Sequence, residues 1–218
     1  MKVISFCLWG KDPKYNIGAI KNAELLSEIY PGWVARYYCG QSTSKTTIKK
    51  IQEIENNEII MMDEEGDWRG MFWRFYPASE PDVDVMISRD TDSRLNMREK
   101  LAVDEWLESD KSFHIMRDHP WHGAEILGGM WGVRGDILKD MKKMIEEYDM
   151  GDFWQVDQNF LKQKIYNIIK DDVMVHDEFH NYNINKKPFP SKREGKQFVG
   201  EAFDYMGEPN KQHRNMIK

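Results

Sequence analysis

Short apolar runs alternate with amphipathic stretches through the first 94 residues, and this alternation constrains the fold more than any other feature. Four apolar runs have the length and composition of buried strands: 3–8, 33–39, 58–62 and 83–87. Three intervening stretches carry apolar side chains at helical spacing: 17–30, 48–54 and 67–78. Strands that alternate with helices form a parallel sheet that helices cover on both faces. The sequence therefore predicts an α/β fold with three layers (α/β/α) and a mostly parallel central sheet.

The second half of the chain has a less regular pattern. We predict helices at 97–107, 136–148 and 156–169, with Asp136 as the N-cap of the second. We predict strands at 113–116, 126–135 and 173–175. The stretch 126–135 is rich in glycine, which often marks the close approach of a ligand or of another backbone. From residue 181 onward the sequence is polar and basic, which is typical of a solvated tail.

Composition and charge exclude several classes of protein. The 218 residues include 40% hydrophobic and 12% aromatic residues, enough for the core of one large domain spanning 1–218. The net charge is -6 with both signs interleaved, whereas a nucleic-acid-binding surface requires a basic patch. No apolar run has the length of a membrane span, and the amino terminus lacks a signal-peptide pattern, so we expect a cytoplasmic protein. In that compartment Cys7 and Cys39 are expected to be buried free thiols.

Asp90 and Asp92 follow the apolar run 83–87, at the predicted carboxyl end of a buried strand. In an extended chain, side chains at positions i and i+2 point to the same side, so the two carboxylates can converge on one point. Like charges repel there, and a divalent cation relieves the repulsion because hard cations prefer oxygen ligands. Ligands of parallel α/β sheets bind beyond the carboxyl ends of the strands, where these aspartates lie. The alternative is a loop pair that faces water or caps the helix beginning near Leu95.

Four further segments occur in an order that is typical of one enzyme family. They are residues 71–77 with Arg74, the glycine-rich residues 127–132, the pair Asp157-Gln158, and His176. Together with Asp90-Thr91-Asp92, they resemble the GT-A-fold, metal-dependent glycosyltransferases, most of all the retaining galactosyl- and glucosyltransferases of the glycogenin-like group. The set is also similar to the compact single-domain glycosyltransferases of some large algal viruses. The resemblance covers about residues 3–179.

The resemblance implies a GT-A fold and a glycosyltransferase activity. It implies that about 1–94 bind a nucleotide sugar and about 95–180 bind the acceptor, with a polar tail at 181–218. The implied reaction moves a hexose or deoxyhexose from a nucleotide-diphosphate sugar, expected to be a UDP-sugar, to a glycan or glycoprotein. The expected metal is Mn²⁺, because an imidazole ligand favours it, with Mg²⁺ as the alternative.

The resemblance also assigns roles to individual residues. The implied metal ligands are Asp90, Asp92 and His176. The implied donor-binding residues are Phe6, Leu8, Trp9, Arg74, Arg89, Asp90, Thr91, Asp92 and Lys187. The implied acceptor-binding residues are Asp118, His122, Gly128, Gly129 and Trp131. The implied catalytic residues are Asp157 and Gln158, and Gln158 favours a retaining reaction because an amide is no base.

Several of these residues also have a simpler interpretation. His176 can be a surface histidine that follows a strand, and Arg74 can pack its stem among the neighbouring aromatic rings. Trp131 can be a core residue rather than a stacking platform for a sugar. Asp157 can stabilise the N-terminus of a helix or, like Asp118, serve as the base of an inverting reaction.

Two departures from the family pattern keep other functions open. The family's glycine and Lys-Pro-Trp signature after the histidine is replaced by Asp177-Glu178-Phe179, and Arg89 precedes the aspartate pair. A phosphohydrolase is disfavoured because Arg94 stands where such enzymes carry Thr or Val. A nucleotidyltransferase that forms nucleotide sugars would have a glycine-rich basic loop after the first strand. Residues 9–13 match that pattern poorly. The third alternative is a catalytically inactive sugar-binding module of the same fold.

Overall fold

One eight-stranded sheet forms the centre of the protein in a computed structural model that describes residues 1–149, 151–182 and 185–217. The strands are β1 (Lys2–Leu8), β2 (Val34–Cys39), β3 (Asn57–Met61), β4 (Val85–Ser88), β5 (Phe113–Arg117), β6 (Trp131–Arg134), β7 (Val173–Asp177) and β8 (Lys186–Lys187). Their order across the sheet is β3-β2-β1-β4-β6-β5-β7-β8. All neighbouring strands are parallel except where β6 pairs with β4 and β5. The predicted α/β class and mostly parallel sheet are confirmed.

The antiparallel strand β6 determines which loops meet at the end of β4. Its register with β4 places Trp131 opposite Ser88. Continued past the strand ends, this register brings the segment before β6 beside the segment after β4. The glycine-rich loop at 127–130 therefore lies against the Asp90-Thr91-Asp92 loop.

Helices and short turns connect the strands. The α-helices are α1 (Pro13–Ile29), α2 (Lys45–Gln52), α3 (Met97–Glu108), α4 (Met141–Glu146), α5 (Val156–Phe160), α6 (Tyr166–Ile169) and α7 (Lys211–Met216). Two 3₁₀ helices occupy Trp68–Ser79 and Gly135–Leu138, and a π-helical turn at Leu161–Ile165 joins α5 to α6. Two apolar clusters lie on opposite faces of the sheet, because Met86 belongs to one while Val85 and Ile87 belong to the other. None of the described helices is long and apolar enough to cross a lipid bilayer.

Two predicted elements differ from those observed. Residues 126–130 form a loop, and the strand predicted at 126–135 begins only at Trp131. The helix predicted at 136–148 is divided into a 3₁₀ turn and α4, and Asp140 rather than Asp136 precedes α4. The chain leaves β6 through Gly135 at φ +68°, a left-handed conformation that ends the strand and begins the short 3₁₀ turn.

The tail at 181–218 packs against the sheet in its described part, which excludes residues 183, 184 and 218. Four of its apolar side chains are buried: Phe189, Phe198, Val199 and Ile217. The backbone N–H of Phe203 donates to the carbonyl oxygen of Asp92 at 2.8 Å. The tail is therefore not a solvated extension, and it contacts the aspartate loop directly.

Candidate active site

A cavity of about 500 Å³ opens at the carboxyl ends of β1 and β4. Pockets for small molecules in proteins have volumes of roughly 300–1,000 Å³. Of the residues predicted to form the site, those lining the cavity are Leu8, Trp9, Arg74, Asp90, Thr91, Asp92, His122, Gly128, Gly129, Asp157 and Gln158. The cavity lies at the sheet edge where ligands of parallel α/β folds bind.

Arg74 joins two carboxylates in the wall of this cavity. Its side chain is buried, and its guanidinium donates to Asp90 Oδ1 and to Asp157 Oδ2, the latter at 2.6 Å. Burial acts to lower the pKa of Arg74, but the neighbouring carboxylate charges raise it above the ordinary value. Arg74 is therefore a permanent positive charge that holds together two aspartates from distant parts of the chain.

Asp92 forms a second ion pair, with Lys14, whose Nζ lies 2.6 Å from Asp92 Oδ2. Burial raises the pKa of Asp92, the charge of Asp90 raises it further, and Lys14 opposes both effects. The Asp92 carboxylate is thus poorly solvated, and the nearby negative charge of Asp90 makes its ionised form less favourable. Lys14 lies in the first turn of α1, where Asp12 caps the helix by accepting from the Lys14 N–H at 2.9 Å. Sequence patterns did not indicate this role of Lys14, because it is far from Asp92 along the chain.

Helix α1 fixes the position of the aspartate loop. The side-chain amide of Asn22 donates to the carbonyl oxygens of Thr91 and Ser93 at 3.3 and 3.0 Å. Gly18 on the same helix lies so close to the loop that a Cβ atom there would overlap the carbonyl oxygen of Thr91. The loop that carries Asp90 and Asp92 is therefore held against a helix rather than free in solvent.

Gly128 and Gly129 allow the loop before β6 to approach the charged groups. A Cβ atom at Gly129 would overlap the carboxylate of Asp90, and one at Gly128 would overlap Arg74 and Asp157. The hydroxyl of Ser88 donates to the carbonyl oxygen of Gly128 at 2.7 Å and holds the loop in place. These glycines are required for close approach, and no side chain extends from them toward a ligand.

Asp157 and Gln158 reach the cavity from the first turn of α5. Asp157 is buried, and its Oδ1 accepts from the backbone N–H of Gln158 at 2.9 Å while its Oδ2 accepts from Arg74. Both carboxylate oxygens are thus used within the protein. Gln155, which lines the same cavity, has a left-handed backbone at φ 71°, a strained conformation that is often found at functional sites.

The fold is shared with solved glycosyltransferases, although no protein-family model and no curated protein matches the sequence. A glycosyltransferase involved in the glycosylation of the major capsid of PBCV-1 aligns with a TM-score of 0.55 and 18% identity over 81% of each chain. The galactosyltransferase LgtC, solved with donor and acceptor sugar analogues, aligns with a TM-score of 0.53 and 14% identity over 81% of this chain and 73% of LgtC. The fold is that of the GT-A glycosyltransferases.

Two other proteins with this GT-A-like architecture carry different ligands or activities. The mannosyltransferase PcManGT from Pyrobaculum calidifontis, solved with GDP-Man and Mn²⁺, aligns with a TM-score of 0.53 and 10% identity over 82% of this chain and 54% of its own. A 4-diphosphocytidyl-2C-methyl-D-erythritol synthase from Anaerococcus prevotii, a nucleotidyltransferase, aligns with a TM-score of 0.51 and 10% identity over 87% and 92%. At such identities the likeness concerns the fold, so the activity has to be argued from the site.

Three residues predicted to bind donor or acceptor are instead buried in the core of the GT-A fold. Phe6 stacks on Tyr37 with ring centroids 4.8 Å apart. Arg89 is buried and pairs with Glu99 at 3.2 Å. Trp131 is fully buried and stacks on a neighbouring aromatic ring, so it offers no face to a sugar. The structure agrees with the alternative interpretation of Trp131 as a core residue, whereas the sequence did not indicate that the Phe6 and Arg89 side chains point into the core.

His176 and Lys187 also lie away from the cavity. His176 is buried on β7, with its Nδ1 2.8 Å from His114 Nε2 and its Nε2 3.0 Å from Glu105. Lys187 on β8 pairs with the same glutamate. Because both ring nitrogens of His176 have partners within the protein, this residue does not complete a metal site with Asp90 and Asp92. Lys187 is likewise engaged outside the cavity.

The two predicted acceptor residues after β5 differ in position. Asp118 is fully buried and accepts hydrogen bonds from Arg98, Arg193 and the backbone N–H of Val199, so it is a structural anion rather than a base. His122 lines the cavity, and its Nδ1 accepts from the backbone N–H of Asp118 at 3.1 Å. Burial lowers the pKa of His122 to about 3, so its ring is neutral at ordinary pH.

Aromatic residues that the sequence did not single out stand at the cavity. Tyr15 on α1, Trp68 at the start of the 3₁₀ helix and Trp154 before α5 all line it and are all exposed. Their signal in the sequence was weak, because a single exposed aromatic residue at a helix end or in a loop has no periodic pattern. Cys7 also lines the cavity, but burial raises the pKa of its thiol to about 12, which makes it a poor nucleophile.

Proposed function

We propose that this protein is a glycosyltransferase that moves a sugar from a nucleotide-diphosphate sugar to a glycan or glycoprotein. The observation that supports this function is the convergence of Asp90, Asp92, Arg74 and Asp157 on one cavity at the carboxyl ends of parallel strands. PcManGT, with the same type of fold, was solved with GDP-Man and Mn²⁺. We expect a UDP-sugar as the donor, bound beside Leu8, Trp9 and the aspartate loop.

Asp90 and Asp92 fit a divalent cation. Asp90 is 44% exposed at its side chain, and the pKa of Asp92 is raised by burial and by the charge of Asp90, a repulsion that a cation would relieve. Among the described residues no three His, Cys, Asp or Glu side chains are placed to hold a metal ion together, so diphosphate oxygens and water would supply the remaining ligands. An all-oxygen ligand set suits Mg²⁺ as well as Mn²⁺. When bound, the cation would stabilise the negative charge that develops on the departing diphosphate.

The protein's own residues have distinct roles in this proposal. Arg74 keeps Asp90 and Asp157 in fixed positions, and its charge lies close to where a diphosphate would bind. Lys14 pairs with Asp92 and supplies a second positive charge in the cavity. Since Asp157 uses both oxygens internally, no free carboxylate is assigned as a base, and the side-chain amide of Gln158 faces the reacting sugar.

The first prediction concerns nucleotide binding. Saturating UDP with Mn²⁺ should raise the melting temperature of the wild-type protein by about 5–10 °C, the scale expected at a ligand concentration of about 100 Kd. Asp92→Asn should lose the Mn²⁺-dependent part of this shift, because one of the two carboxylates is removed. The control is Asp104→Asn, which removes an exposed carboxylate that pairs with Lys100 on α3. An equal Mn²⁺-dependent shift in Asp92→Asn, with UDP or with GDP, would contradict the metal assignment.

The second prediction is that the transferred sugar keeps its anomeric configuration. Because Asp157 uses both of its oxygens within the protein, we expect the departing phosphate oxygen to take the proton of the acceptor hydroxyl. Gln158→Ala should then slow turnover by roughly 10²-fold, the loss seen when one preorganised polar group is removed. Proton NMR of the product, compared with the donor, measures the configuration directly. An inverted product would overturn the retaining mechanism and leave the glycosyltransferase proposal standing.

A nucleotidyltransferase that forms nucleotide sugars is the second candidate, because the structure also aligns with the synthase from Anaerococcus prevotii. The loop after β1 lacks the run of glycines that would bind a nucleoside triphosphate there. The two functions differ in their products. Release of pyrophosphate from UTP and a sugar 1-phosphate identifies the nucleotidyltransferase, and release of UDP from a UDP-sugar identifies the glycosyltransferase.

A further inference from the structure

Trp154 is the most exposed tryptophan at the cavity, with 66% of its surface accessible. A packed tryptophan buries about 150–250 Å² of surface, so one that stays exposed beside a cavity forgoes a large stabilisation. Trp121, exposed to a similar degree at 54%, has protein partners, since its ring lies edge-on to His213 with centroids 4.8 Å apart. Among the described residues, Trp154 has no such aromatic partner. Its indole face is therefore available to a ligand.

The backbone around Trp154 is held in place. The guanidinium of Arg69, in the 3₁₀ helix, donates to the carbonyl oxygens of Tyr148 and Gly151 at 3.2 and 3.4 Å. The backbone N–H of Val156 donates to the carbonyl oxygen of Phe153 at 3.1 Å. Gln155, immediately after Trp154, adopts the left-handed conformation that turns the chain into α5. These contacts on both sides of Trp154 restrain the backbone from which the indole projects.

Trp154 belongs to a different segment of the chain from the residues that are expected to form the donor side of the cavity. The donor side is formed by Leu8, Trp9 and Tyr15, at the end of β1 and the start of α1. Trp154 belongs instead to the loop that leads into Asp157 and Gln158. A ring stacked on Trp154 would thus lie beside the residues that face the reacting sugar.

We propose that Trp154 is the stacking platform for the acceptor sugar, which rests on the glycosyltransferase function proposed above. The apolar C–H face of a pyranose ring packs on an indole, while its hydroxyls need hydrogen-bond partners at the edge. Gln155 and Gln158 line the cavity on either side of Asp157 in the chain and carry amides that can both donate and accept. This combination of one aromatic face and neutral polar groups suits an uncharged sugar. Trp154 replaces the fully buried Trp131 in that role.

Saturation-transfer NMR tests this assignment with the methyl α- and β-pyranosides of glucose, galactose and mannose, in the presence of UDP and diamagnetic Mg²⁺. In the wild-type protein, at least one glycoside should receive saturation. Trp154→Ala should weaken its apparent affinity about tenfold, and Trp154→Phe should restore part of it because a smaller aromatic face remains. The matched control is Trp121→Ala, which removes an exposed indole that does not line the cavity and should behave as wild type.

Calorimetric titration of UDP into each variant distinguishes a failure of the acceptor assignment from a failure of the proposed glycosyltransferase function. If UDP binds all variants equally but Trp154→Ala leaves the glycoside signal unchanged, the acceptor assignment is wrong and the proposed function stands. The same conclusion follows if no glycoside in the panel receives saturation from a UDP-loaded wild-type protein. If the wild-type protein binds neither UDP nor GDP, the glycosyltransferase function itself fails, and the acceptor assignment fails with it.

Discussion

Replacing Gly128 with alanine is expected to lower the rate of sugar transfer by roughly 10²-fold while the protein stays folded. The added methyl group would overlap both Arg74 and Asp157, so their ion pair must separate or the loop before β6 must move. Either change displaces Asp90 as well, because the same Arg74 guanidinium also donates a hydrogen bond to Asp90. Displacing catalytic groups by about 1 Å costs on the order of 10²-fold in rate. The measurement is steady-state turnover with the best donor, beside the circular dichroism spectrum and melting temperature.

Gly123→Ala is the matched control for this substitution. Gly123 lies in another loop of the same half of the chain, and the nearest atoms to an added Cβ are 3.7 Å away, in His180 and Tyr182. That distance is ordinary van der Waals contact, so turnover should remain at the wild-type level. If Gly128→Ala also turns over at the wild-type rate, the Arg74–Asp157 pair is not part of the catalytic arrangement.

Much of the fold follows from local sequence patterns. The runs at 3–8 and 83–87 are apolar apart from Ser5 and Asp84, which is typical of strands buried on both faces, and they correspond to β1 and β4 of the sheet. Because parallel strands end at the same edge, the groups that follow them were expected to meet there. Asp90 and Asp92 indeed line one cavity with Arg74, which the 3₁₀ helix between β3 and β4 presents to them.

Other features depend on long-range pairing that local patterns do not contain. The insertion of β6 between β4 and β5, with reversed direction, places glycines rather than a strand against Asp90. The side chains of Arg89 and His176 are buried because each has a charged or polar partner in α3, Glu99 and Glu105. A charged residue at a strand end is read from sequence as exposed, whereas a partner on a packed helix allows it to be buried.

Asp118→Ala is expected to destabilise the protein by about 3–5 kcal/mol, the cost of removing one partner from a buried ion pair. The Asp118 carboxylate is fully buried and accepts from Arg98 at 2.8 Å and from Arg193 at 2.7 Å. It also accepts from the backbone N–H of Val199 at 2.9 Å. Its removal leaves two largely buried guanidinium groups without this partner and releases the segment around Val199. Urea denaturation of the variant and the wild type measures the difference in the free energy of unfolding.

Asp104→Ala is the control for Asp118→Ala, because it removes an aspartate that pairs with Lys100 one turn away on α3 and is 42% exposed. An exposed pair of this kind contributes about 0.3–0.5 kcal/mol. The two variants should also differ in function: only Asp118→Ala frees the segment whose Gly200 lines the cavity and whose Phe203 donates to the aspartate loop. Limited proteolysis should therefore cut Asp118→Ala within 185–217, and its UDP-dependent thermal shift should shrink. Equal stability of the two variants would mean that the tail is held mainly by its buried apolar side chains, with the aspartate contributing little.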